Sequence, residues 1–355
     1  MDLLILDKNL EPVGIIDSYE SFIWTERYNK CGDFELYSAV TPDILELMKR
    51  DYYVVINGSD RAMVIEKILI EYDSEEGDHV TVSGRSLGSI LDRRIIWGHK
   101  TLKGKIDFVM FDLLNDCLIE PSDGRRRIRE FAYQSTADTD ETIWTTEIDM
   151  QCTGDNLYDV VTKLCAEHNI GFKVMLTDDN RFRFKLYTGV DRSYQQIENP
   201  YVVFSPSMDN LVSGKYLESS VAYKNAALVG GQGQGSERTY ATAYSREETY
   251  LDRREMFVNA TDITNEGETY IAQLQQRGKE KLTETSDISA FEGSVDATMY
   301  KYRVDYNLGD IVQLSDDYGH DERVRVVEVV ISDGEGGYLV YPTFESLEEK
   351  GVQST

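Results

Sequence analysis

Alternation of hydrophobic and polar residues is the main pattern along this chain. Val80 and Val82, for example, are each followed by a polar residue. A period of two is typical of β-strands that bury one face. Strong alternation returns after residue 200 and again over residues 295–344, with the glycine-rich stretch Gly230–Gly235 between these regions. The pattern predicts a protein built mostly of strands.

A β-hairpin is predicted over residues 171–187. The turn-forming tetrad Thr177–Asn180 separates two alternating runs. The apolar positions of each run share one face: Phe172, Val174 and Leu176 in the first run, and Phe182, Phe184 and Leu186 in the second. Pairing the two runs would bring aromatic side chains opposite each other.

Helices are few, and the clearest is predicted over residues 155–169. Asp155 is suited to cap its start, and Gly171 lies just beyond its end. We expect its apolar stripe to pack against the hairpin. The stripe consists of Leu157, Val160, Val161, Leu164, Cys165 and His168.

Three further helices follow from weaker patterns. Residues 106–117 show a similar apolar stripe. Thr264 is expected to cap a helix over 265–282, although two glycines lower its helix propensity. A short helix is expected after Thr41, with Pro42 at its first position.

These elements predict an α+β, β-dominated protein with two β-domains and an inserted helical region. The predicted first domain covers residues 1–100 and is completed by about 200–229. An α/β insertion domain follows over 101–199, a second β-domain over 230–345, and a polar tail over 346–355. A length of 355 residues agrees with two or three hydrophobic cores.

Charge narrows the possible partners. The chain carries 37 Lys and Arg against 64 Asp and Glu, a formal net charge of −27. Such a chain repels nucleic acid and anionic membranes, so stable nucleic-acid binding is not expected. The one basic cluster, Arg125–Arg127 with Arg129, lies beside acidic residues. A solvated turn is the favoured interpretation, with polyanion binding as the alternative.

No targeting or membrane segment is expected. The N-terminus has only a four-residue apolar run beside Asp2, and no stretch approaches the roughly 20 apolar residues of a membrane span. The four cysteines are far apart and form no CxxC motif, which is typical of reduced core residues in a protein made in a cytoplasm. They are Cys31, Cys117, Cys152 and Cys165.

The strongest enzymatic signal is the G-x-S-x-G sequence of Gly84–Gly88, with Ser86 at the position of a nucleophile. His99, His168 and His320 lie downstream, so the chain order of an α/β-hydrolase is possible. That fold requires repeated βαβ units with continuous apolar strands, whereas these strands alternate. We therefore interpret the motif as a strand that ends in a turn, and no catalytic residue is assigned.

Other candidate sites are also weak. Gly230–Gly235 is not a phosphate loop, because Ser236 replaces the third glycine and no Walker lysine follows; a mobile surface loop is expected instead. Cys165 and His168, with Cys152, could bind zinc, but a buried thiol and imidazole are the simpler interpretation. The acidic loop 316–322 could bind Ca²⁺. No cofactor or metal is assigned.

Several stretches, in the right order over most of the chain, resemble the tail-hub proteins of siphophages, prophages and phage-tail-like particles. They are Trp24–Tyr28, Gly32–Leu36, Met63–Glu66, Ser83–Leu87, Ile90–Arg94, Val202–Ser205, Asp209–Leu211, Tyr223–Asn225 with Gly230–Gly231, and Tyr306–Val312. The resemblance implies that the two β-domains are β-barrel-like tube domains, as in baseplate hubs. It also implies that the Gly84–Gly88 turn is structural.

The resemblance further implies a homotrimer whose six β-domains form a ring matching a hexameric tail tube. The expected partners are the tail tube or a distal tail protein, the tape-measure protein, and a tip, spike or fibre protein. DNA or tape-measure protein would pass through the ring. The expected location is the tail tip or baseplate of a virion or phage-like particle, and the chain is expected to be the hub alone.

Two other classes of function remain open. One is an enzyme at the tail tip, either a serine hydrolase at Ser86 or a carboxylate-based cell-wall hydrolase. The other is a carbohydrate-binding module, for which 23 Tyr and 3 Trp could supply stacking faces. Tyrosine is also common in β-sheets and at interfaces, so its abundance does not separate these classes.

Overall fold

A computed structural model of the protein describes residues 1–57, 59–75, 77–265, 267–285, 288–295, 299–318 and 321–347. The first part of the chain contains β1 (Leu3–Leu6), β2 (Pro12–Ile16), β3 (Ser21–Arg27), β4 (Asp33–Ala39), α1 (Pro42–Leu47), β5 (Tyr53–Ile56), β6 (Ala62–Glu71) and β7 (His79–Ser86). The middle contains β8 (His99–Lys105), α2 (Ile106–Leu114), β9 (Phe131–Tyr133), α3 (Glu141–Thr145), β10 (Glu147–Thr153), α4 (Leu157–Glu167), β11 (Gly171–Thr177) and β12 (Arg181–Tyr187). The last part contains β13 (Val203–Phe204), β14 (Leu211–Ser219), β15 (Ala226–Gly230), β16 (Tyr240–Tyr244), β17 (Glu255–Asn259), α5 (Tyr270–Thr283), β18 (Ile288–Val295), β19 (Ile311–Ser315), β20 (Asp321–Gly334) and β21 (Leu339–Ser346).

In the described part of the chain, the largest sheet has 13 strands and combines strands from both ends of the sequence. Its main path runs β14-β18-β21-β20-β3-β4-β7-β6-β5-β1-β2, and β19 and β13 extend from β20. The early and late strands meet where β3 pairs antiparallel with β20, which places Trp24 opposite Ile331. Both residues are buried, because the alternating pattern of each strand turns one face to a shared core. The predicted β-dominated α+β class is confirmed.

Three hydrophobic clusters form among the residues that the structure describes. The first lies under the large sheet and contains residues from both ends of the chain, such as Phe22 and Phe344. The second joins the middle of the chain to the segment after β7, including Leu87 and Ile90. The third is smaller and lies between α5 and the three-stranded sheet β16-β15-β17. The boundaries of the two β-domains and of the insertion domain, as given from the sequence, stay predictions.

The hairpin and the helix before it agree with the sequence pattern. β11 and β12 pair antiparallel, and the rings of Phe172 and Phe184 stack with centroids 5.6 Å apart. Leu157, Val161 and Leu164 of α4 are almost completely buried in the same cluster as this hairpin. The predicted packing of helix on hairpin is therefore confirmed.

The predicted caps of α4 were wrong. Asn156, not Asp155, accepts hydrogen bonds from the backbone N–H groups of Tyr158 and Asp159, because the helix begins two residues later than expected. At the other end, Asn169 takes the left-handed conformation, with φ of 53°, whereas Gly171 already lies in β11. An asparagine tolerates that conformation well, so glycine was not required there.

The remaining helices differ from expectation at their ends. The helix after Thr41 is confirmed, and the Thr41 side chain accepts from the N–H of Ile44. The predicted helix over 106–117 is α2 followed by a π-helical turn over Asn115–Ile119. The helix expected over 265–282 begins at Tyr270, so Thr264 does not cap it. Within the described part of the chain, no helix is long and apolar enough to cross a membrane.

Candidate functional site

Ser86, at the end of β7, is part of the framework of the large sheet. Its Oγ accepts a hydrogen bond from the N–H of Gly32 at 3.1 Å, and its own N–H donates to the Gly32 carbonyl at 2.9 Å. The serine is buried, and no histidine among the described residues hydrogen-bonds to it. A serine with a filled acceptor and no neighbouring base lacks the geometry of an activated nucleophile.

The glycine before this serine is needed for close packing. A Cβ atom on Gly84 would lie 1.7 Å from the carbonyl oxygen of Val64 in β6. The expected turn follows, because Leu87–Arg93 form a 3₁₀ segment whose apolar residues are buried. The hydroxyl of Ser86 makes no cap hydrogen bond to this segment and joins β7 to Gly32 instead.

The glycine-rich stretch forms the connection between β15 and β16. Its first half is held by Arg238, which donates to the carbonyl oxygens of Gly230 (2.8 Å) and Gly231 (3.0 Å). The hydroxyl of Tyr270 accepts a 2.6 Å hydrogen bond from the N–H of Gln232. Arg238 and Tyr270 thus already bind backbone groups of this glycine-rich stretch.

The cysteines expected in the core are buried and free. Burial raises the pKa of the Cys165 thiol, and burial lowers the pKa of His168, so both groups are held in neutral forms. Within the described residues, no three His, Cys, Asp or Glu side chains gather in a way that could hold a metal ion. In the acidic loop, the carboxylate of Asp316 accepts from the N–H of Tyr318, and residues 319 and 320 lie outside the described residues.

A buried carboxylate in β3 forms the centre of a polar cluster. Glu26 Oε1 accepts from Trp24 Nε1 (3.0 Å), Ser59 Oγ (3.1 Å) and Arg303 Nη2 (2.6 Å). Its Oε2 accepts from the Tyr302 hydroxyl at 2.6 Å. These contacts join β3 to a segment that lies 277 residues further along the chain.

The charge of Glu26 is stabilised although only 3% of the residue is exposed. Burial acts to raise its pKa, but the guanidinium groups of Arg61 and Arg303 and the hydrogen bonds from Tyr302 and Trp24 outweigh burial and lower the pKa to about 2. Arg61 Nε lies 3.7 Å from Glu26 Oε2 and is itself buried. The carboxylate is therefore ionised at neutral pH, with two cations around it.

A second set of contacts continues this cluster into the middle of the chain. Arg61 donates to the hydroxyl of Tyr187 at 3.1 Å, and the ring of Tyr187 meets that of Tyr28 edge-on at 5.3 Å. The Tyr28 hydroxyl donates to the carbonyl of Asn169 at 2.9 Å. The guanidinium of Arg325, from β20, lies 5.0 Å from the centroid of the Tyr28 ring.

These contacts tie the N-terminal strands, the middle of the chain and the C-terminal strands together at one place. We call Glu26, Tyr28, Arg61, Tyr187, Arg303 and Arg325 the central junction. Glu26 and Tyr28 lie in a stretch that carries the family resemblance, whereas the three arginines and Tyr187 had no signal in the sequence pattern. The contacts of the junction hold three parts of the chain together.

The large sheet also presents two candidate assembly surfaces at its edges. Among the described residues, β2 pairs only with β1 and β14 pairs only with β18. On β2, Val13 and Ile15 are 43% and 61% exposed, and on β14 Leu217 is 45% exposed. Open strand edges with exposed apolar residues are prone to pair with other chains.

Comparison with known families gives one match over nearly the whole chain. The profile of the family described as Siphovirus ReqiPepy6 Gp37-like protein matches residues 2–344. A comparison with curated proteins gives no match.

Comparison with solved structures shows that the fold is similar to those of prophage tail proteins. Prophage tail protein gp18 from Listeria monocytogenes is 15% identical, with a TM-score of 0.57, and the match covers 99% of this chain and 96% of that one. The 43 kDa tail protein of prophage MuSo2 from Shewanella oneidensis is 12% identical, with a TM-score of 0.60 and coverage of 97% and 98%. A tail protein from Neisseria meningitidis is 14% identical, with a TM-score of 0.59 and coverage of 97% of both chains.

Proposed function

The chain belongs to the Siphovirus ReqiPepy6 Gp37-like family of siphovirus tail proteins, and from this premise we propose that three copies form a closed ring that joins the tail tube to the tip or baseplate. As a member of this family it is a structural protein of the tail and not an enzyme. The ring, its symmetry and its partners are the proposal.

The observation that carries the ring is the pair of open edges on the large sheet. The two edges differ in sequence and belong to different parts of the chain, since β2 spans Pro12–Ile16 and β14 spans Leu211–Ser219. A contact between two different surfaces is head-to-tail, and it generates a ring if the rotation between copies closes. Pairing the edges between neighbouring copies would also cover exposed Ile15 and Leu217.

The central junction supports the same proposal. A closed ring requires a fixed angle between the parts of each copy, because an angular error in one copy is repeated in the others. Buried ion pairs and a continuous 13-stranded sheet oppose such bending.

The acidity of the chain fits a channel for DNA or tape-measure protein. A net charge of −27 per copy gives a ring that repels the phosphate backbone and lets it pass without stable binding. The proposed protein partners are the tail tube or a distal tail protein on one side, and a tip, spike or fibre protein on the other, with the tape-measure protein inside. The proposed location is the tail of a virion or phage-like particle.

The test is the mass of the assembled species. Repulsion between copies is screened over about 8–10 Å near physiological salt. We therefore expect light scattering to show monomer at low salt and trimer as the salt concentration rises or when tube or tip proteins are added. A stable dimer, or a single copy per particle in electron micrographs, would contradict the ring. Salt-sensitive binding to duplex DNA would contradict the repulsive channel.

A further inference from the structure

Two arginine-rich segments meet on one surface of the molecule. Arg94 donates from Nε (3.1 Å) and Nη2 (2.9 Å) to the carbonyl oxygen of Arg126, and the Arg126 guanidinium lies 4.1 Å from the centroid of the Trp97 ring. Exposed Arg93 and Arg125 adjoin these residues in the chain. We call Arg93, Arg94, Trp97, Arg125 and Arg126 the basic surface.

Much of the positive charge on this surface is not neutralised locally. Among the described residues, no carboxylate lies within ion-pair distance of Arg94 or Arg126. Arg93 is 3.8 Å from Asp51, and the side chain of Arg125, paired with Asp123, remains 90% exposed. Trp97 is half exposed. Arginine and tryptophan together are typical of the core of a protein interface.

An acidic surface of opposite character lies at the turn between β6 and β7. Glu71, Glu75 and Asp78 are exposed there, and no cation in the described part of the chain lies within ion-pair distance of them. Tyr72 beside them is 78% exposed. We call Glu71, Tyr72, Glu75 and Asp78 the acidic hairpin.

The two surfaces are too far apart to meet within one copy. Asp51, the neighbour of Arg93, donates from its N–H to the carbonyl of Ile65 in β6 at 2.9 Å. From Ile65 the strand continues for six residues to Glu71, a distance of about 20 Å at the usual rise of a β-strand. Any contact between them is therefore made between copies, and in a closed ring it is head-to-tail.

We propose that, in the ring described above, the basic surface of each copy binds the acidic hairpin of the next copy. This inference rests on the proposed function, since it names a second contact between neighbouring copies, in addition to the paired edges of β2 and β14. Guanidinium–carboxylate pairs at the contact offset the long-range repulsion between copies that each carry a charge of −27. A protein partner is favoured over nucleic acid, because Arg126 covers one face of Trp97 and the chain as a whole repels phosphate.

A charge exchange tests the contact. R93E/R125E places carboxylates opposite the acidic hairpin, and E71R/E75R places guanidinium groups opposite the basic surface. Each double variant therefore sets like charges against each other. Each double variant should weaken trimer formation by roughly 100-fold or more in light scattering. The quadruple variant combines all four substitutions, so the two surfaces exchange the sign of their charge. They attract each other again, and the trimer should be restored.

The matched control reverses two exposed cations elsewhere, in R181E/K103E, and should leave the trimer unchanged. Arg181 and Lys103 each have one carboxylate partner, as Arg93 and Arg125 do. Near-ultraviolet circular dichroism checks that every variant is folded, and Trp97→Ala, which changes no charge, should also weaken the trimer.

The outcomes separate this inference from the ring itself. A parent protein that is monomeric in every condition, also with tube and tip proteins, would overturn the ring and this contact together. A parent trimer that R93E/R125E does not disturb, or that the quadruple variant does not restore, would overturn the contact alone. The contact would likewise be refuted, with the ring intact, if R93E/R125E abolished binding to duplex DNA or to another tail protein while the trimer persisted.

Discussion

Removal of the Glu26 carboxylate is the sharpest test of the central junction. Glu26→Gln preserves the size of the side chain but leaves the buried guanidinium group of Arg61 and the partly buried one of Arg303 without their counter-ion. Breaking a buried ion pair in this way costs about 3–5 kcal/mol. The lowering of the Glu26 pKa from 4.5 to about 2 gives a similar figure, about 3 kcal/mol in favour of the charged form. We therefore expect the free energy of unfolding to fall by roughly 3 kcal/mol.

The pH dependence supplies an independent check of the same contacts. The pKa of Glu26 is lower in the folded protein than in the unfolded chain. The contribution of its ionised carboxylate to the free energy of unfolding is therefore fully present above about pH 4.5. That contribution is lost as the pH falls through the folded value of about 2. Between about pH 5 and pH 2 the parent should lose this stabilisation, whereas Glu26→Gln should not.

The assay is denaturant unfolding followed by tryptophan fluorescence, since Trp24 donates a hydrogen bond to Glu26. Glu147→Gln is the matched control, because Glu147 makes a largely exposed ion pair with Lys105 and its loss should cost less than about 1 kcal/mol. The charged carboxylate is not the centre of the junction if the free energy of unfolding of Glu26→Gln lies within about 1 kcal/mol of the parent value. The same conclusion holds if Glu26→Gln loses stability in acid as the parent does.

Two further predictions concern the middle of the chain and Ser86. Leu164→Asp should unfold or insolubilise the central cluster, because an unpaired carboxylate would replace a residue that is 1% exposed; melting like the parent would refute the packing of α4 on the hairpin. Ser86→Ala should lower the free energy of unfolding by about 1–2 kcal/mol, because the N–H of Gly32 loses its acceptor. The parent should show no turnover of ester substrates or purified cell wall above buffer, and an activity that Ser86→Ala abolished would overturn the structural role.

The sequence pattern predicted those elements whose signal is local. The stripe of α4 and the alternation of β11 and β12 report which face is buried, and the structure agrees at Leu157, Leu164 and Phe184. The ends of the helices were less predictable, because neighbouring residues compete for the same cap. Asp155 and Asn156 are both suitable N-caps, and the side chain of Asp155 accepts from the N–H of Thr153 instead.

The position of α5 shows how tertiary packing overrides local propensity. Gly278, one of the two glycines that lower the helix propensity of residues 265–282, lies inside α5. A Cβ atom there would approach Ala243 Cβ to 2.6 Å and Val229 Cγ2 to 2.7 Å. The helix lies so close to β15 and β16 that only glycine fits, so the residue that lowers helix propensity is the one that permits the packing.

The central junction could not be predicted from the chain alone. Periodicity reports which face of an element is buried but not which distant residue it meets, and Glu26 is joined to Tyr302 and Arg303 across more than 270 residues. The same holds for the basic surface, where Arg94 and Arg126 come together only in the fold. The family resemblance located Glu26 and Tyr28 in a matching stretch, but it gave no indication that their partners would be cations.

The buried charges of the junction fix the relative position of the segments that they join, rather than adding to the stability of the fold. A well-packed apolar cluster is often as stable as a buried ion pair, so the presence of Glu26 between Arg61 and Arg303 is weak evidence for added stability. An apolar cluster tolerates small shifts at little cost, whereas a carboxylate held by several donors at about 3 Å loses hydrogen bonds when the segments move. We infer that the junction restricts the angle between the N-terminal and C-terminal strands. A ring made of identical copies closes only at one such angle, so the property that these residues provide is the one that the proposed assembly requires.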